Sequence, residues 1–296
     1  MSTPPIMKNA VYRFGDRISY KTIKHPFQSS ETMSPRTPCS DGAGVVVSVG
    51  SAVEDIHVGD RVITNFDVTN LYGPVLNGGS HRLGGVLDGV LRHYAAVPAQ
   101  AVIKIPEECT LDFVQLAALV CDGLERVLAK AAGAVTIITS SSDEKLKFVK
   151  EKFGASYTIN YRTTPDWAAE AKRITNGKGV DFVVENGGSG TIAQSIDAVA
   201  PGGQIGVIGF LARATQENMP DVAGLVLGKG CIIRGVQIGS KLLMEELVRV
   251  VVSQNIQPHI YKTFRFDEEG VHGAFECLES AGHIGKIGID IKSAQN

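Results

Sequence analysis

No apolar run in this chain approaches the roughly 20 residues that a membrane-spanning helix requires, and the opening MSTPPIMKNA has no signal-peptide apolar core. No membrane partner is expected, and the default address is cytoplasmic. Long basic runs are equally absent and the formal net charge is -2, which argues against a nucleic-acid groove. The five cysteines (Cys39, Cys109, Cys121, Cys231 and Cys277) are odd in number, scattered, and form no CxxC pair. That pattern excludes a clustered structural zinc site and fits free thiols in a reducing compartment. Internal repeats and low-complexity tracts are missing too. With 44% hydrophobic and 20% charged residues over 296 positions, what remains is a globular chain large enough for two domains.

What the chain does have is glycine, 33 residues of it, placed where one element turns into the next. Residues 8–23, KNAVYRFGDRISYKTI, read as two short strands about a turn at Gly15-Asp16, followed by a proline-punctuated polar loop. From Pro38 to Pro106 glycine turns alternate with Val/Ile runs, as short barrel strands do, and Gly59-Asp60 turns into Arg61 to Thr64. Thr110 reads as the N-cap of a helix with Asp112 in its first turn. Leu116, Leu119, Val120, Leu124, Val127 and Leu128 follow at spacings of three and four, which predicts one long bent helix over residues 111–132.

Beyond it the periods alternate. Strands are expected over 135–139, 157–160, 182–185 and 204–209, and helices over 143–153, 165–175 and 191–198. A further strand and helix are expected at 232–236 and 241–253, then strand, helix, strand to residue 291. Strands separated by helices of this length imply parallel βαβ units and an α/β fold class.

Eight stretches together carry a resemblance: SDGAGVVVSVG, VGDRVI, GVLRHYAAVPA, AKAAGAVTIITSSSDEK, INYR, GVDFVVENGG, APGGQIGVIGF and AFECLESAGHIGKIGIDI. From Pro38 to Ile291 the chain resembles the medium-chain dehydrogenase/reductase superfamily, in particular its zinc-independent quinone oxidoreductase-like branch and the fungal zinc-type alcohol dehydrogenase-like proteins. The resemblance implies a GroES-like β domain over residues 1–110, to which 256–296 return, and a Rossmann doubly wound parallel sheet over 111–255. It also implies a dehydrogenase or reductase acting on a small-molecule carbonyl, enone or quinone, with a setting in fungal secondary metabolism. Family members often dimerise through the edge of the Rossmann sheet, which here would be residues 231–238.

The end of the strand at 135–139 bears on the cofactor. A carboxylate there binds the ribose 2'-hydroxyl of NAD, whereas a site without one can take the 2'-phosphate of NADP. Ser140, Ser141 and Ser142 supply hydroxyls and Lys145 an ammonium, donors suited to a phosphate dianion. The same residues also read as no more than a helix cap and a solvated charge. The resemblance adds Tyr161 beside that phosphate, and points the backbone of Asn186, Gly187, Gly209, Phe210 and Leu211 at the ribose and nicotinamide. Lys286 either approaches the cofactor or sits exposed. NADP is thus expected ahead of NAD.

Zinc is not expected. Ser40-Asp41 stands where zinc-dependent relatives carry a histidine, and a catalytic zinc needs three protein ligands, so Cys39 and Cys121 read as packing residues. Asn65 and Tyr94 are the cleft candidates, Asn65 as a donor to a carbonyl oxygen and Tyr94 as a proton donor or stacking ring. His81 and His93 are acids by type only.

Two departures accompany the resemblance. Relatives carry a strand, a glycine-rich turn of the form GxGGVG and half a helix between segments like ALVCDGL and AKAAGA. Here Leu124 runs straight into ERVLAKAAGA, so a βα unit of about 30 residues is absent, and with it the amides that cradle pyrophosphate. GGSG at 187–190 follows a later strand and is no substitute. The loop at 24–37 likewise replaces a strand and helix of the substrate-side wall. The expected fold is therefore a Rossmann sheet lacking its first strand and glycine-rich turn, and the gap forces its flanking strands to pair or leaves two bare edges. Besides a working reductase, a non-catalytic member or a chain read across a mistaken exon boundary at Leu124-Glu125 stays open.

Overall fold

The computed structural model describes residues 9–13, 36–76, 78–79, 81–120 and 125–291. The chain divides into two compact units, residues 1–124 with 238–296, and residues 125–237. The first unit extends past the boundaries expected at 110 and 255, because helices at 113–117 and 241–253 pack on its own strands.

In the first unit, β1 (Asn9–Arg13), β2 (Ala43–Val49), β3 (Arg61–Thr64), β4 (Tyr94–Pro98) and β5 (Val102–Lys104) form a sheet in the order β4-β1-β2-β3-β5, antiparallel at every pairing. β2 and β4 alternate buried and open positions, and Val46, Val62, Val97 and Val102 meet in one core. Of the hairpin expected over 8–23, β1 is present; the remainder of it, and the loop to residue 35, lie outside the described residues.

Asp60 holds the turn into β3. Its Oδ2 accepts from the His57 backbone N–H at 2.8 Å, and its Oδ1 meets Lys104 Nζ of β5 at 2.8 Å. Burial works to raise its pKa, but the Lys104 hydrogen bond, the His57 N–H and the charges of both residues outweigh it and hold the carboxyl below the usual aspartate value. The stability Asp60 contributes is therefore complete at neutral pH and is lost as pH falls through the depressed folded value. Asp60→Asn should lower the urea midpoint at pH 7 and narrow the gap between the pH 7 and pH 3 midpoints; an equal loss at both pH values would refute this linkage.

The single helix expected over 111–132 does not form. α1 (Phe113–Ala117) is capped by Asp112 and not Thr110: Asp112 Oδ1 accepts from Gln115 N at 2.8 Å and Gln115 Oε1 from Asp112 N at 3.1 Å, a reciprocal capping box. Leu119 and Val120 then turn away with their side chains in the core, and Cys121 to Leu124 lie outside the described residues. Helix resumes as α2 (Glu125–Ala131). The apolar spacing of Leu116, Leu119 and Val120 reflects burial in a core, not a continuous stripe.

In the second unit strands and helices alternate: β6 (Ile137–Ser140), α3 (Asp143–Phe153), β7 (Tyr157–Asn160), α4 (Trp167–Ile174), β8 (Val180–Glu185), α5 (Ile192–Ala198), β9 (Val199–Val207), α6 (Val222–Lys229) and β10 (Ile232–Gly235). Local chemistry sets their limits. Ser142 caps α3, and Gly154 ends it at φ 63, a left-handed conformation that glycine adopts without a Cβ penalty. α6 has no counterpart in the sequence reading, because VAGLVLGK is apolar all round and shows no helical stripe.

These strands fall into two parallel sheets, β6-β7 and β10-β9-β8. α4 and α5 pack together over a core of Ile159, Ala168, Ala171 and Ala198, with Ile137 of β6 against it. Between β5 and β6 the described residues hold helices and turns but no strand. Among the described residues β6 pairs only with β7 and β8 only with β9; Phe182 and Val184 of β8 are 71% and 52% exposed, and no residue of β6 is fully buried.

The chain then returns to the first unit as α7 (Lys241–Ser253), β11 (Ile260–Arg265), α8 (Glu268–Glu279) and β12 (Lys286–Asp290), with β11 and β12 a parallel pair. No described helix is long and apolar enough to cross a membrane.

Candidate functional site

β6 and β7 end side by side, joined where Tyr161 N donates to Ser140 O at 3.1 Å. Ser140 Oγ accepts from Ser142 N, and Ser142 Oγ from Lys145 N, both at 3.3 Å, so the serine run folds into the first turn of α3. A hydroxyl that accepts a backbone bond keeps its own proton to donate. Ser140, Ser141, Ser142 and Lys145 are half-buried and Tyr161 is exposed, all at one end of this sheet. The structure adds Arg162, which the sequence reading passed over: it follows Tyr161 in the same turn, where its backbone N–H donates to Asn160 Oδ1 at 3.0 Å. The Asp143 carboxylate accepts from Asn160 Nδ2 at 2.7 Å, which ties α3 to β7 and engages that charge. Hydroxyls, an ammonium and a guanidinium at a helix N-terminus form a donor set for an anion.

β8 and β9 end in loops stitched to each other. Ile208 N and Gly209 N donate to Glu185 O at 2.9 and 3.3 Å, Leu211 N to Asn186 O at 3.0 Å, and Ala212 N to Gly187 O at 2.7 Å. Asn186, Gly187, Gly209, Phe210 and Leu211 are thereby brought together, with Phe210 and Leu211 largely exposed. Gly209 has to be glycine, since a Cβ there would lie 2.7 Å from both Asn186 O and Asn186 Oδ1.

Behind these loops sits Glu185, 3% exposed, which the sequence reading missed. Its Oε1 accepts from Gly187 N at 2.6 Å, Gly188 N at 2.9 Å and Thr191 Oγ1 at 2.6 Å, and its Oε2 from Ser195 Oγ. One signal could have found it: Thr191 and Ser195 stand a helical turn apart at the start of α5 and face the strand end together.

The candidates in the first unit differ in their surroundings. Asn65 is buried, and its Nδ2 donates to Asp67 O at 2.7 Å and Asn70 O at 3.1 Å. Both amide protons are engaged in shaping its own loop, against the expected role as donor to a substrate carbonyl. Tyr94 opens β4 and is 41% exposed, whereas His93 is buried edge-on against Phe266 at 4.7 Å. Lys286 opens β12 in this unit, where its Nζ meets Asp41 Oδ2 at 3.2 Å while Ser40 Oγ donates to Asp41 Oδ1 at 2.6 Å. It is therefore partly buried and paired with a carboxylate, not simply exposed.

This pair bears on the metal. Burial, with Asp41 beside it, pushes the Cys39 thiol up to about 12, so it stands as a neutral thiol. Asp41 already carries an ammonium, and among the described residues no three His, Cys, Asp or Glu gather as ligands. Cys121 and Asp122 lie outside the described residues.

Residues 16–107 match the family model described as alcohol dehydrogenase GroES-like domain, and residues 127–253 the model described as zinc-binding dehydrogenase. The chain is 38% identical over 290 residues to a zinc-type alcohol dehydrogenase-like protein of Schizosaccharomyces pombe, a match covering 87% of this chain and 82% of that one. It is 31% identical over 217 residues to a 2-haloacrylate reductase of Burkholderia sp, covering 63% of this chain and 58% of the other. Among solved structures it resembles a Sinorhizobium meliloti 1021 protein assigned as an alcohol dehydrogenase, with TM-score 0.80, 27% identity and coverage of 98% of this chain and 92% of that one.

Proposed function

The chain belongs to the medium-chain dehydrogenase/reductase superfamily of oxidoreductases, and on that premise we propose that it is an NADP(H)-dependent, zinc-independent reductase of a small-molecule carbonyl, enone or quinone. The observation that carries the choice of NADP is the set at the end of β6 and β7: Ser140, Ser142, Lys145, Tyr161 and Arg162 offer hydroxyl and cationic donors where NAD would call for a carboxylate. Ser141 adds a third hydroxyl. The nicotinamide end would lie against Asn186, Gly187, Gly209, Phe210 and Leu211 at the carboxyl ends of β8 and β9, the place where open α/β sheets hold ligands.

Bound there, the nicotinamide supplies the hydride, and the residues of this chain orient it and exclude water. The likeness to a 2-haloacrylate reductase supports a substrate whose double bond is conjugated to an acyl group. Tyr94 is the remaining candidate on the substrate side. A setting in fungal secondary metabolism and a cytoplasmic address belong to the same proposal, and β10, which pairs only with β9 among the described residues, offers the edge for a homodimer.

NADPH titration of the full chain by calorimetry or native mass spectrometry tests the reading. Saturable binding, and oxidation of NADPH with an enone or quinone, is the expected result; no binding at millimolar NADPH would sink it. Chelator treatment should leave that oxidation and the melting curve unchanged, and loss of activity restored by zinc would overturn the zinc-independent part. The edges of β6 and β8, unpaired among the described residues, favour a second reading, a member that binds cofactor poorly and does no catalysis. It predicts a melt that NADPH does not raise, and transcript sequencing across Leu124 and Glu125 shows whether the gap belongs to the gene.

A further inference from the structure

Glu185 is a carboxylate buried at 3% exposure whose acceptors are met by neutral donors, two backbone amides and two hydroxyls. Among the described residues no lysine, arginine or histidine pairs with it. The cation that follows the facing loop, Arg213, lies over the Phe210 ring at 6.0 Å. A buried charge without a counter-ion is costly to keep, and the same turn could be closed by a neutral side chain. The charge is also placed with some care. It lies directly behind the amides of Gly187 and Gly188, and its own backbone carbonyl holds Ile208 and Gly209 of the facing loop. Glu185 itself is shielded from water, so its charge is screened less than a surface charge is.

We infer that Glu185 is a positioning residue whose uncompensated negative charge makes this end of the site favour the oxidised, cationic nicotinamide over the reduced, neutral one. The inference rests on the reading above, in which the loops at 186–188 and 208–212 face that ring. Its consequence is chemical: by stabilising the state that follows hydride loss, Glu185 makes the bound reduced cofactor a stronger donor, which suits a reductase. The hydrogen-bond cage and the charge are separable, because glutamine fills the same volume without the charge.

The test compares dissociation constants of NADP+ and NADPH for the full chain at fixed ionic strength. In Glu185→Gln the ratio Kd(NADP+)/Kd(NADPH) should rise about tenfold over wild type, equivalent to ~1.4 kcal/mol. If both constants weaken together and the ratio stays within twofold, Glu185 only closes the turn and the inference falls while the NADP(H) reading stands. If the wild type binds neither form, both fall. Should Glu185→Gln lose its far-UV circular dichroism, Ser195→Ala takes its place. It keeps the charge and removes one neutralising donor, so the ratio should drop two- to threefold, and an unchanged ratio overturns the inference.

Discussion

The double variant Lys145→Ala/Arg162→Ala is expected to raise the dissociation constant of NADPH about 30-fold while leaving that of NADH within about twofold. The magnitude follows from exposure. A buried charge-assisted hydrogen bond contributes about 1.5–3 kcal/mol and a surface ion pair at most about 1 kcal/mol. Lys145 is half-buried and Arg162 exposed, so about 1 kcal/mol each is the defensible figure, and 2 kcal/mol is about 30-fold. The α3 cap uses the backbone N–H of Lys145 and the β7 turn uses that of Arg162, and both survive in alanine. On the proposed reading, with no glycine-rich turn in the sequence to grip pyrophosphate, the two ends of the dinucleotide would carry more of its binding than in an intact site, and the phosphate contacts would count for more. Raising the salt concentration should shrink the NADPH preference of the wild type and leave that of the double variant unmoved. Equal weakening of NADPH and NADH would mean that these side chains support α3 without reading a phosphate.

How much of this was legible depends on how local the cause is. The limits of α3, β7 and α7 match the sequence expectation residue for residue, and for the two helices the cause is local: Ser142 and Gly154 around α3, Ser240 before α7. The parallel βα alternation was legible for the same reason. The helix over 111–132 was not, because apolar residues at spacings of three and four describe a buried face whether or not the backbone continues as a helix, and tertiary packing of Leu119 and Val120 decided it. At the site, Ser140 to Ser142 and Lys145 announced themselves as a run of donors at a strand end. Glu185 did not, since a carboxylate at a strand terminus usually reads as a solvated charge. Its burial depends on Thr191 and Ser195 in the next element. Lys286 and Asn65 had plausible side chains but partners that no short window reveals: Asp41 lies far upstream of Lys286, and the Asn65 amide is engaged by carbonyls of a loop with no regular period.

The largest stability effect is expected at Gly89, a buried residue with no obvious motif. Its N–H donates to Thr37 O at 2.7 Å, and its neighbours continue the ladder, Val90 N to Cys39 O at 2.8 Å and Leu91 N to Pro38 O at 3.2 Å. A Cβ at position 89 would fall 2.0 Å from Cys39 O and 2.3 Å from Pro38 O, both backbone atoms with no rotamer to escape into. Cys39 cannot give way easily either, as it is already held at φ 67, an unusual conformation for a residue with a side chain. Gly89→Ala must therefore part the two segments and leave buried amides and carbonyls without partners, at ~1–3 kcal/mol each. A loss of about 3 kcal/mol or more follows, seen as a fall of roughly 6–12 °C in the melting of the first unit. Gly85→Ala is the control, since a Cβ there meets open space and the backbone is not left-handed. The segment that moves runs directly into Ser40 and Asp41, so Gly89→Ala should also loosen the ion pair with Lys286 and increase protection loss at β12 in hydrogen exchange. A variant that melts within about 2 °C of wild type would show that the ladder at 37–39 is not what holds Asp41, and that the ion pair is kept in place from the β12 side.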